Sequence, residues 1–112
     1  MRFAIPLTDG KVSSHFGHCQ CFALIDTDND TKTITETQLI SPPAHEPGAF
    51  PKWLSGLNVN IVIAHGIGQR ANRLFDQNNI KVIAGAAGDN PEEMVTKYLG
   101  GMLQCGPNIC DH

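Results

Sequence analysis

At 112 residues, with 41% hydrophobic and only 17% charged residues and a formal net charge of −3, the chain has the length and apolar content of one domain with a modest core. Its eight Lys and Arg residues are scattered; without a cationic cluster to displace counterions, nucleic-acid binding is not expected. No apolar run approaches the ~20 residues that cross a bilayer, and the N-terminal run is too short for a secretory signal, which points to the cytoplasm and away from membranes.

Residues 2–7, Arg-Phe-Ala-Ile-Pro-Leu, read as a first strand that ends in the turn signal Thr8-Asp9-Gly10. Pro6 has no backbone donor and is expected at the strand's end or beside a bulge. A polar loop follows over residues 8–18. Residues 21–25 form a second apolar strand, closed by the turn cluster Asp26-Thr27-Asp28-Asn29-Asp30. Residues 31–40, rich in Thr and Ile, alternate weakly as an edge strand does, which makes an antiparallel hairpin with the second. After Ser41-Pro42-Pro43, the spacing of Phe50, Trp53, Leu54 and Leu57 predicts a helix near 48–56, with Pro51 tolerated in its first turn.

Val59 to Ala64 is a near-continuous apolar strand of the kind buried on both faces. Ile67, Ala71, Leu74 and Phe75 mark a helix between Gly66 and Asn78. Residues 80–84 give a fifth strand. Asn90-Pro91-Glu92-Glu93 opens a last helix with a cap, a first-turn proline and acidic residues. Its apolar face is Met94, Val95, Tyr98, Leu99, Met102 and Leu103, and Gly100-Gly101 weakens it before Met102. The expected fold is α/β, a mixed five-stranded sheet in the order 3-2-1-4-5 with helices on both faces. Right-handed crossovers make its second half parallel. Residues 1–103 form the domain and 104–112 a tail containing Cys and His.

Ligands of open α/β sheets bind where neighbouring strands send the chain in opposite directions, here at the carboxyl ends of the first and fourth strands. Three loops meet there. The first holds His15-Phe16-Gly17-His18-Cys19, with nitrogen and sulfur donors within five residues. The second, His65-Gly66-Ile67-Gly68 followed by Arg70, puts glycines at a helix N-terminus, where backbone N–H groups and the helix dipole favour an anion. The third, residues 84–90, repeats that arrangement at the last helix.

A strand-to-helix Gly-x-Gly turn also serves tight packing alone, and this one lacks the third glycine of the dinucleotide fingerprint. His65 has a second reading as a backbone hydrogen-bonding residue, His45 as an exposed loop residue, and Cys21 as a small core residue. By the period of two, Cys19 shares a face with Cys21, which makes a C-x-C metal pair conceivable. In the tail, Cys105, Cys110 and His112 offer soft donors suited to zinc, copper(I) or iron–sulfur species. The competing reading is a frayed end with incidental cysteines. In a reducing cytoplasm all four cysteines are expected as thiols or ligands rather than disulfides. The last helix is expected to lead away from the crevice, which would make the tail accessory.

Several of these residues together resemble the dinitrogenase iron–molybdenum cofactor biosynthesis proteins, the NifX-like group that includes the carboxy-terminal domain of NifB. The carriers are His15-Phe16-Gly17 with Phe22, the run Val62-Ile63-Ala64-His65-Gly66-Ile67-Gly68 with Ala71 and Leu74, Asn79-Ile80-Lys81-Val82, and Tyr98-Leu99-Gly100-Gly101-Met102-Leu103. The ending Gly-Pro-Asn-Ile-Cys-Asp-His is similar to those of small free-standing members. The resemblance implies a ribonuclease H-like sheet and non-catalytic binding of a metal–sulfur cluster, an iron–molybdenum cofactor or precursor, with cluster donor and acceptor proteins as partners.

It also implies His15 as the best ligand, with cluster contacts around Gly66 and Gly68. The chain departs from the family at His65, where glycine is frequent, and at His18 and Cys19. Small relatives outside nitrogen fixation include a molybdenum–copper sulfide binder.

Two other classes stand against the carrier reading. A two-metal nuclease needs paired carboxylates, and residues 2–7 contain none. A thiol oxidoreductase wants C-x-x-C, whereas this chain has C-x-C and C-x4-C. A small zinc- or other metal-binding sensor or interaction module would use Cys105, Cys110 and His112.

Overall fold

A computed structural model of the chain describes residues 1–14, 19–42 and 49–106. Its elements are β1 (Arg2–Thr8), β2 (Lys11–Val12), β3 (Cys21–Asp28), β4 (Thr33–Ile40), α1 (Ala49–Gly56), β5 (Ile61–Ile63), α2 (Gln69–Gln77), β6 (Lys81–Ile83) and α3 (Pro91–Leu99). Among the described residues the sheet has six strands, not the five that the hydrophobic pattern predicts. Its path is β4-β3-β1-β5-β6, with β2 hydrogen-bonded to β1 off this path. The expected five-strand order therefore does not describe the whole sheet. Two residues are too few to show an alternation, which is why β2 escapes a reading by periodicity.

The origin of β2 is local. Asp9 and Gly10 both take positive φ, 54° and 79°, the signature of a two-residue type I′ hairpin turn. The chain returns antiparallel, with Leu7 opposite Val12 and Thr8 opposite Lys11. On the same edge of β1, the parallel partner β5 pairs at Phe3 and Ala4. Pro6 falls between these two partners, inside β1 rather than at its end. Its carbonyl accepts from Ser13 N at 2.8 Å. Its missing N–H would point to that same side, where β5 has stopped and β2 is beginning. The β3 ladder, on the other edge, runs unbroken from Arg2–Asp26 to Leu7–Cys21.

Alternation along β1 divides the core into two layers. Phe3, Ile5 and Leu7 face α3 and pack with Met94 and Val95. Ala4 faces α1 and α2, where Val62, Leu24, Phe50, Leu54 and Phe75 gather. Phe22 is fully buried there, edge-on to Phe50 at 5.5 Å and to Trp53 at 5.6 Å. Helices thus cover both faces of the sheet. One expected member of the α3 face is misplaced, because the helix ends at Leu99 and Met102 is 73% exposed.

Gly101, at φ 73°, closes a Schellman turn. Gly101 N donates to Tyr98 O at 3.0 Å and Met102 N to Lys97 O at 2.7 Å. The chain then doubles back. Among the described residues, no helix is long and apolar enough to cross a membrane.

Candidate functional site

The carboxyl ends of β1 and β5 lie side by side, and the chain leaves them toward different neighbours. An open cleft of about 780 Å³ lies there, walled by Thr8, Asp9, Lys11, Val12, Ser13 and Ser14 on one side and by His65 and Asp89 on the other. The β1–β2 hairpin builds the first wall. Thr8 Oγ1 lies 3.1 Å from Ser13 Oγ, Asp9 N donates to Gln20 Oε1 at 3.0 Å, and Ser13 is buried. Val12 N donates to Asp89 O at 3.0 Å, tying this wall to the loop between β6 and α3.

His65 follows β5 after one residue, Ala64. Its Nε2 meets the carbonyl oxygen of Gly88, and a carbonyl only accepts, so Nε2 carries the ring proton. Gly88 holds φ 114°, a region in which an L side chain is strained, and a Cβ there would lie 3.3 Å from Met94 Cγ. Gly85 N donates to His65 O at 2.8 Å, so the second and third loops are joined by backbone as well.

The two helix N-termini at this end differ. Gly68, extended at φ −71° and ψ 156°, precedes α2 without a capping side chain, and the first turn of α2 contains no acidic residue. Its partial positive charge is uncompensated by any carboxylate of its own turn. Arg70 adds a formal charge in that turn, where it is exposed and not part of the cleft wall. By contrast, Asn90 accepts from Glu93 N at 2.9 Å, and Glu92 and Glu93 occupy the first turn of α3. The third loop therefore does not repeat the anion-attracting arrangement of the second, because the sequence has already neutralised that terminus.

The remaining expected site residues fall in several places. Gly66 is buried, and the Ile67 side chain is fully buried in the core layer around Phe75, so it supports the loop from beneath. Cys19 and Cys21 do not share a face, since Cys19 packs with the Phe22 layer and Cys21 with the Phe3 layer. Regular alternation starts only at Cys21, so the period of two does not extend to residue 19. Burial pushes the Cys19 thiol up to about 11, which works against thiolate ligation at neutral pH. Cys105 is exposed and lies opposite Ala86 in an isolated β-bridge. Ala87 N donates to Gln104 O at 2.8 Å and Gly106 N to Gly85 O at 2.6 Å. Beyond the end of α3, residues 102–106 thus return to the third loop at the crevice.

His15, Phe16, Gly17, His18, His45, Cys110 and His112 lie outside the described residues. Among the described residues, no group of three His, Cys, Asp or Glu side chains is placed to hold a metal ion. Lys11, Ser13 and Asp89 belong to the cleft but carry no motif. The signal that finds the first two is Asp9-Gly10, read as a tight hairpin rather than as the start of a loop.

The family model for the dinitrogenase iron–molybdenum cofactor matches residues 1–101. The chain belongs to this family. It is 28% identical over 109 residues to an uncharacterized protein of Methanocaldococcus jannaschii, covering 93% of this chain and 90% of that protein. The crystal structure of PH0822 is 29% identical, with a TM-score of 0.85 over 95% of this chain and 96% of that one. The apo form of the orange protein from Desulfovibrio gigas shares the fold, with a TM-score of 0.73 at 19% identity over 96% of this chain and 93% of the other.

Proposed function

We propose that this protein is a non-catalytic carrier of a metal–sulfur cluster, of the iron–molybdenum cofactor or precursor type, which it takes from one protein and passes to another. The observation that carries this reading is the family match over residues 1–101. The uncompensated N-terminus of α2 supports it. Metal–sulfur clusters of this kind are anionic, and α2, with three residues between it and the cleft residue His65, has no acid in its first turn. Lys11 lines the cleft together with the carboxylates of Asp9 and Asp89, and Arg70 is exposed in the first turn of α2. A net charge of −3 does not oppose this, because the field at the crevice is local.

In this reading His15 and His18 supply nitrogen ligands, and Phe16, Gly17, Gly66, Ile67 and Gly68 shape the pocket around the cargo. Cys105, Cys110 and His112 act as accessory ligands from the tail. The absence of carboxylates from β1, whose sequence is Arg-Phe-Ala-Ile-Pro-Leu-Thr, supports a carrier over a two-metal hydrolase.

The test is anaerobic reconstitution with separate cluster types, followed by metal analysis and visible absorption. A coloured protein retaining molybdenum or iron with sulfide after desalting is expected. Colourless protein with stoichiometric zinc and no uptake of any cluster overturns the reading in favour of a zinc-binding module.

A further inference from the structure

We infer that His65 uses its two ring nitrogens for two tasks: Nε2–H holds the third loop, and the Nδ1 lone pair is a ligand for a metal of the cargo. This inference deepens the carrier reading and rests on it. The imidazole lines the cleft, and its Nε2 is committed to the Gly88 carbonyl. A neutral imidazole donates from one nitrogen and accepts at the other, so this bond fixes the tautomer and leaves Nδ1 as the ring's metal-binding atom. A histidine ligand is commonly oriented in this way, by a carbonyl that takes the proton of its second nitrogen.

The loop that carries this carbonyl is held on both sides of Gly88. Val12 N bonds the next residue's carbonyl at 3.0 Å, Gly85 N bonds His65 O at 2.8 Å, and residues 104–106 clamp residues 85–87. The Gly88 backbone, at φ 114°, is in a conformation that glycine tolerates and most residues do not. A surface histidine with incidental contacts needs none of this support. The cargo class that fits is a cluster exposing a borderline metal, such as iron, that accepts imidazole nitrogen.

The test separates this role from a purely structural one. In ¹⁵N-labelled, metal-free protein, NMR of the His65 ring should show the proton on Nε2. Zinc ions, used as a diamagnetic probe, should shift Nδ1, the amides of Ser13 and Ser14 across the cleft and the amide of Asp89 on the same wall. His65→Gln retains an N–H donor for the Gly88 carbonyl but offers no imidazole lone pair. It should melt as the wild type does while its zinc response at those three amides falls at least tenfold. His65→Ala should lower both.

An Nδ1–H tautomer, or His65→Gln responding to zinc like the wild type, overturns the inference. Failure of the wild type to take up any cluster, with the zinc response intact, counts against the carrier reading and leaves the ligand assignment standing.

Discussion

Gly88 and His65 show how one backbone conformation reaches the cleft. Replacing Gly88 with Ala forces an L side chain to φ 114° and sets a Cβ at 3.3 Å from Met94 Cγ. The expected cost is about 1–3 kcal/mol, read as a lower urea midpoint with an unchanged slope. Cys19 makes a pH prediction. Burial pushes its thiol from 9.0 up to about 11, so the folded protein holds this proton more tightly than the unfolded chain.

That contribution is complete below about pH 9 and is lost as the pH rises through 11. Unfolding free energy should therefore fall more steeply over that interval in the wild type than in Cys19→Ala; parallel curves contradict the burial seen here. None of this was legible in the sequence. The positive φ of Gly88 and the face on which Cys19 packs depend on neighbours contributed by α3 and β3.

The contrast between α2 and α3 gives the predictions at the level of elements. Asn90 accepts from Glu93 N at 2.9 Å, and Asn90→Ala should destabilise the protein by about 1 kcal/mol, measured by chemical denaturation. Arg70→Glu places a carboxylate in the exposed first turn of α2, where the dipole favours it by about 0.3–1 kcal/mol. That variant should keep or raise the thermal midpoint while reducing uptake of an anionic cluster. Unchanged uptake would separate this helix end from the binding site.

The cap of α3 was readable because Asn-Pro-Glu-Glu is a local code. So were β1 and β3, whose buried residues impose an apolar pattern. The β1–β2 hairpin was written in two residues, Asp9-Gly10, and a reading by hydrophobic period passes over it. Pro6 misleads for a related reason, since proline inside a central strand is tolerated only because that edge changes partners beside it.

Across the whole molecule, the reversal after α3 matters most for the site. Gly100-Gly101 announced the end of the helix. The sequence did not disclose that the chain would return and bridge Ala86 with Cys105, because that pairing joins segments nineteen residues apart whose contact depends on the tertiary fold. Deleting residues 104–112 removes the two backbone hydrogen bonds to Gly85 and Ala87. Amide exchange at residues 85–88 should then rise while the β1–β3 ladder stays protected. Cluster uptake should persist with faster loss, whereas abolished uptake would make Cys105, Cys110 or His112 a primary ligand.

The carrier reading is tested most directly by loading the intact protein anaerobically with a preformed cluster and mapping the amides that gain protection from hydrogen exchange. The expected footprint covers residues 8–14, 64–68 and 85–89, the segments at the carboxyl ends of β1, β5 and β6. A retained cluster that protects the β4 edge or the exposed face of α2 instead, with those segments unchanged, would contradict it.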